Sequence, residues 1–214
     1  RLENGKVEVF GVDDGLPSDK VRTLLMGRDG SLWIGTSGGG VARYRDGEIE
    51  VYQDGLENLE VRALWEDSHG GLLVGTRDGA FRWDGSSFSR FRADSALVDQ
   101  TFNTITEDSK GNTWFGTREG GAFKIEDGHL IQYLTDSGLS DNSVTSILED
   151  RDGNLWFGTY GGGISRLSGE HVLNWETSEG LPYANVYAIA EDRKGCLWFG
   201  TNGGGVSRLC DGEF

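Results

Sequence analysis

Five side chains of unlike chemistry, Ser37, Arg77, Arg118, Tyr160 and Asn202, each follow a Gly-Thr pair, at one position of a phrase that the chain repeats. Arginine offers a planar fork that grips a carboxylate or sulfate through paired hydrogen bonds, and two of the five positions hold one. Tyr160 offers a ring on which a sugar can stack. A second set, Lys20, Asn58, Gln100, Asn142 and Asn185, lies just ahead of the first strand of each repeat. Asparagine there is also a good turn residue, and Arg77 and Arg118 each precede an acid, Asp78 and Glu119, with which they can pair locally. The candidate chemistry is recognition of an anionic or carbohydrate-like ligand, set against solvated turns.

Other motifs carry less. The runs "SGGG", "YGGGI" and "NGGGV" join strand to strand and lack the helix and Lys-Ser/Thr of a phosphate loop. "DRDGN" at 150–154 resembles the front of a calcium loop but has no bidentate glutamate at the required spacing, so it reads as a hairpin turn. His69 falls in a turn, while His129 and His171 fall on equivalent outer strands, and no catalytic triad or zinc spacing assembles. The expectation is no catalytic residue, no metal and no cofactor. Cys196 and Cys210 flank one predicted hairpin and face each other across it. Two free thiols are expected, with a strained cross-strand disulfide as the alternative.

The elements that must position these residues come from the repeat. "LWFGTYGGGISRL" at 155 returns as "LWFGTNGGGVSRL" at 197, and related phrases begin at 32, 72 and 113, giving a period of about 41 residues. Each copy opens with a β-prone strand A marked by Val21, Val61, Phe102, Val144 and Val186, with a small residue two places on (Thr23, Ala63, Thr104, Ser146, Ala188) that implies close packing. A glycine turn leads to strand B, which carries Trp33, Leu73, Trp114, Trp156 and Trp198 and then the Gly-Thr pair. Strand C bears Arg43, Arg82, Lys124, Arg166 and Arg208, and a variable strand D follows. Four short strands per period predict an all-β fold: a β-propeller of five four-stranded antiparallel blades, repeats 18–53, 58–93, 99–134, 141–176 and 183–214 plus 1–10, forming one domain over 1–214. The D-to-A connections and B-to-C turns share the mouth of such a propeller, where ligand contacts are expected.

The first residues, "RLENGKVEVF", match the end of strand C and all of strand D, so Lys6 to Phe10 are expected to complete the last blade and close the ring. With 36 % hydrophobic residues, 7 Trp and 10 Phe, the chain can build its core from many short segments. Its net charge of −15 is spread over the repeats and argues against nucleic acid and anionic membranes as partners. No run reaches the length of a membrane span, and the first ten residues have no apolar signal core.

"GLSDNSVTSILEDRDGNLWFGTYGGGISRL" and "GLPYANVYAIAEDRKGCLWFGTNGGGVSRL" resemble the two-component regulator propeller repeat, and the likeness extends over essentially the whole chain. That resemblance implies a ligand-binding or docking propeller from the extracytoplasmic, periplasmic or extracellular part of a bacterial sensor, with carbohydrate-like ligands. From the residues themselves no enzyme is expected; a lyase or glycosidase would need an acid–base pair or metal at the mouth. A second expectation is a protein-interaction or excised repeat scaffold without a small ligand. A monomer is expected, with self-association as the alternative.

Overall fold

The structure, a computed structural model, describes residues 1–3, 5–91 and 96–214. Position 4 of the N-terminal segment and the end of the second repeat, 92–93, lie outside the described residues. The chain divides into two compact units, Arg1–Asp99 and Gln100–Phe214.

In the first unit β1 (Leu2–Glu3) and β2 (Lys6–Val7) form a hairpin. The first blade is β3 (Val21–Met26), β4 (Leu32–Thr36), β5 (Val41–Arg45) and β6 (Glu48–Tyr52). The second is β7 (Val61–Glu66), β8 (Leu72–Thr76), β9 (Gly79–Trp83) and β10 (Phe88–Arg90). The second unit holds β11 (Phe102–Glu107), β12 (Thr113–Thr117), β13 (Ala122–Glu126) and β14 (His129–Tyr133), then β15 (Val144–Glu149), β16 (Leu155–Thr159), β17 (Ile164–Ser168) and β18 (His171–Trp175). Its last sheet is β19 (Val186–Glu191), β20 (Leu197–Thr201) and β21 (Gly205–Leu209). Every sheet is antiparallel with strands in sequence order. Five such sheets are the blades of a β-propeller.

The pairing expected between Lys6–Phe10 and the last blade is not the one found. That sheet has three strands, and Lys6–Val7 pairs instead with Leu2–Glu3. A hairpin closing around Gly5, at φ 76°, costs far less chain entropy than a pairing two hundred residues away.

The recurring residues make recurring contacts. Trp33, Trp114, Trp156 and Trp198 lie opposite Arg43, Lys124, Arg166 and Arg208 in register, and each cation sits 5.2–5.6 Å from its indole. Where the tryptophan is Leu73, Arg82 reaches the Asp67 carboxylate instead, at 2.8 Å. The threonine of each Gly-Thr pair donates its hydroxyl to a glycine carbonyl across the B-to-C turn, as Thr117 does to Gly121 at 2.9 Å. Hydrophobic cores lie between successive blades: Trp33 of the first packs with Val61 and Leu64 of the second, and Trp114 with Val144 and Ile147. Trp156 packs likewise with Val186 and Phe199. The glycine before the threonine makes room for this. A Cβ on Gly35 would stand 2.5 Å from Thr23 and 2.6 Å from Val61, so the close packing read from the small residues of strand A involves two blades at once. Cys196 and Cys210 are joined as a disulfide with their Cα atoms 4.7 Å apart, in place of the free thiols expected.

Candidate functional site

The first strand of every blade is irregular at its second residue. The ladder steps from Val21 to Thr23, Val61 to Ala63, Phe102 to Thr104, Val144 to Ser146 and Val186 to Ala188, leaving Arg22, Arg62, Asn103, Thr145 and Tyr187 as bulge residues. A bulge re-aims a side chain out of the sheet's alternation. These five residues are not evident from sequence, because nothing in the strand pattern shows where the alternation breaks.

In the first unit two of them meet Glu60, beside Ser37. Arg62 donates to Glu60 Oε1 from Nη2 at 2.9 Å and from Nε at 3.1 Å. Arg22 reaches the same oxygen from the preceding blade at 3.5 Å, and Arg77 stands 3.9 Å from Glu60 Oε2. Three guanidiniums thus gather round one carboxylate in a chain of net charge −15. Asp78, the acid that follows Arg77, accepts a hydrogen bond from Asn58 Nδ2 at 2.6 Å. Ser37 and Glu60 form a backbone bridge, and the Ser37 N–H donates to the Lys20 carbonyl at 2.8 Å, so the B-to-C turn is laced to the neighbouring loop. The Lys20 side chain is exposed.

The second unit repeats the lacing with different side chains. Tyr160 bridges Asn185, and the Asn202 N–H donates to the Asn185 carbonyl at 2.9 Å. Tyr160 and Tyr187 meet edge to face with centroids 6.2 Å apart, both exposed, and Tyr183 is exposed on the loop before Asn185. Arg118 is exposed and 4.0 Å from Glu119, the local pair expected. Asn142 braces its own loop, where its Oδ1 accepts the Thr135 N–H at 2.8 Å. Gln100 places its amide beside Gly120, where an added Cβ would meet Oε1 at 2.7 Å. The bulge residues Asn103 and Thr145 donate to the Val144 and Val186 carbonyls of the following blade. Exposed aromatic surface therefore concentrates at Tyr160, Tyr183 and Tyr187.

The aspartate turns are occupied by their own loops. Asp150 accepts from the N–H groups of Asp152 and Asn154, from Asn154 Nδ2, and from Trp156 Nε1 at 2.7 Å, which is the work of a hairpin brace. Asp108 does the same with Lys110, Asn112 and Trp114. Burial pushes both carboxyls up, but the hydrogen bonds from Trp114 and Asn112, and from Trp156 and Asn154, outweigh it and hold both below the usual value. In Asp29, hydrogen bonds from Ser31 lead and bring the pKa down to about 2. A carboxyl lowered in the folded state stabilises above its unfolded pKa, near 3.9, and loses that contribution as pH falls through the folded value. Urea midpoints are therefore expected to hold above about pH 5 and fall between about pH 4 and pH 2, with Asp108→Asn flattening the decline. A midpoint that declines as steeply in that variant would remove Asp108 from the account.

Sheets of this form and loops laced in this way define a β-propeller that offers its variable side chains at the connections. Residues 15–38, 96–119, 138–161 and 180–203 match the model of the two component regulator propeller family. Four of the five repeats are thus matched as two component regulator propeller repeats. The second repeat, one residue shorter in its B-to-C turn, is not among the matched segments. No curated protein matches in sequence. Among solved structures, the extracellular domain of the putative hybrid two component system BT3049 from B. thetaiotaomicron shares 28% identity at a TM-score of 0.83, over 97% of this chain and 29% of that one. The extracellular domain of BT4673 from the same organism shares 23% at a TM-score of 0.76, over 89% and 29%. Virginiamycin B lyase from Staphylococcus aureus, 19% identical at a TM-score of 0.76 over 93% and 70%, shares the fold alone. The chain thus spans under a third of the length of the two-component domains it resembles. Among the described residues, no helix is long and apolar enough to cross a membrane.

Proposed function

We propose that the chain is a recognition module of a bacterial two-component-type sensor, acting outside the cytoplasm as a binding domain without catalysis. The observation that carries this reading is the set of Arg22, Arg62 and Arg77 around Glu60, positioned by two bulges and a B-to-C turn. Guanidiniums held by a rigid scaffold suit a carboxylate or sulfate. In the second unit, as a surface of its own, the exposed pair Tyr160 and Tyr187, with Tyr183, suits the apolar face of a sugar ring. Lys20 in the first unit, and separately Arg118 and Asn202 in the second, remain proposed contacts at their own connections, while Ser37 in the first unit and Gln100, Asn142 and Asn185 in the second belong to the loops around them. The family and the two-component neighbours support a sensor module, and the ligand class rests on these side chains.

Calorimetric titration with a sulfated disaccharide and its unsulfated counterpart tests the reading. The sulfated sugar is expected to bind more tightly, and Arg22→Ala with Arg77→Ala to weaken it at least about tenfold, some 1.4 kcal/mol. Both arginines are well exposed, so the melting temperature should barely move. An unchanged Kd in the double arginine variant, or no preference for the sulfated sugar, overturns the anionic assignment.

A further inference from the structure

In the first unit Glu60 is an acid at a place where the fold asks for none. Its position, one residue before the first strand of its blade, is filled in the other repeats by Lys20, Thr101, Ser143 and Asn185. The backbone bridge that Glu60 makes to Ser37 is made by Asn185 to Tyr160, so the lacing of the loops does not depend on a carboxylate. The acid falls in the one repeat that has arginine both at the bulge, Arg62, and directly after the Gly-Thr pair, Arg77. Its placement follows the arginines rather than the strands.

The carboxylate is also held ready. The Glu60 N–H donates to Asn58 Oδ1 at 2.7 Å, while Asn58 Nδ2 donates to Asp78, beside Arg77, at 2.6 Å, so one amide braces both the acid and the arginine turn. Oε1 takes Arg62 at hydrogen-bond distance through two nitrogens, whereas Arg22 and Arg77 are drawn in at longer range, 3.5 and 3.9 Å. The side chains of Glu60 and Arg62 are 20% and 23% exposed, and those of Arg22 and Arg77 are 47% and 60% exposed. An anion arriving from solvent therefore meets Arg22 and Arg77 first, and reaches Arg62 only by taking the place of Glu60.

We propose that Glu60 is a built-in competitor, a carboxylate that stands in for the ligand at the arginine cluster and is displaced when an anion binds, a role that rests on the anion-binding reading of these arginines. A group tethered by the chain acts at an effective concentration of about millimolar or more, so the cluster stays closed to stray anions and opens to a ligand with further contacts to offer. The same displacement breaks the pair between Glu60 and Arg62, which makes ligand binding a change of state within the first unit. Because the competitor belongs to the protein, it weakens every anion by the same factor, the fraction of molecules in which Glu60 has let go.

NMR titration of the arginine Nε–Hε and glutamate carboxyl signals tests this on the full chain, with methyl sulfate and acetate as probes of equal charge. In wild type either probe is expected to move the Glu60 carboxyl signal toward that of an unpaired glutamate. Glu60→Gln, which keeps the shape and removes the charge, is expected to tighten both probes at least about fivefold and by a common factor. Glu60→Asp, which draws the charge back by one methylene, is expected to tighten both by less, and carries the test by itself if the glutamine variant does not fold. Affinities unchanged in the Glu60 variants, yet lowered by Arg22→Ala with Arg77→Ala, would leave the arginines as an anion site and overturn the competitor. Weaker binding in Glu60→Gln overturns it too, since Glu60 would then hold the arginines in place for the ligand. If neither probe moves the arginine signals in any of these proteins, the anion-binding reading fails and the competitor with it.

Discussion

Gly116→Ala is expected to destabilise the protein by about 2–3 kcal/mol, whereas Gly200→Ala stays within about 0.5 kcal/mol of wild type, read as urea midpoints on dilute protein. Both glycines precede the threonine of strand B. The added methyl at Gly116 would lie 2.6 Å from Thr104 Cγ2 and 2.8 Å from Val144 Cγ1. Neither neighbour is free to retreat, because Thr104 pairs in the same sheet and Val144, fully buried, opens the next blade. At Gly200 the nearest side chain is Ala188, at an ordinary 3.6 Å. A strand position that accepts alanine conformationally should tolerate it once the space exists. Equal costs at the two positions would show that the glycine is kept for something other than the packing of the following blade.

Reduction of the Cys196–Cys210 disulfide is expected to cost about 3 kcal/mol, the chain-entropy value for a closed loop of this size. The bond spans 14 residues and clamps the open end of the last hairpin. In the third and fourth blades the place of Cys196 is taken by Asn112 and Asn154, whose side-chain amides brace Asp108 and Asp150 at 2.9 Å. Cys196 has only its backbone N–H to give to Asp192, at 3.1 Å, so the disulfide supplies the restraint that the amide supplies elsewhere. The last blade also has three strands, which leaves it more dependent on that clamp. Comparing urea midpoints with and without reductant, and in a Cys196→Ser, Cys210→Ser variant, tests this. Identical midpoints would mean that the blade is held by its neighbour alone.

Much of this molecule is written in the repeat itself. The spacing of Trp, Gly-Thr and Arg along each period determines the blades, because a face that packs on an identical face must present identical residues. The pairing of tryptophan with the cation on the adjoining strand follows directly, since strands B and C meet in a short turn and the register leaves one choice. Even the place of Cys196 opposite Cys210 is legible, although whether two facing thiols are joined is not a matter of position alone.

The candidate site was less accessible to reading. Ser37, Arg77, Arg118, Tyr160 and Asn202 stand out as variable letters in a constant phrase, yet nothing in that phrase shows that Arg77 reaches Glu60 or that Asn142 serves its loop. Arg22, Arg62 and Tyr187 were hidden because a bulge breaks the two-residue alternation on which strand reading depends, and only the paired strand reveals the extra residue. The N-terminal strand shows the same limit from the other side. Its sequence suits the last blade and a local hairpin equally, since both offer the same backbone hydrogen bonds. Tertiary structure decides between them through the entropy of closing a short loop, which no reading of residue types along the strand contains.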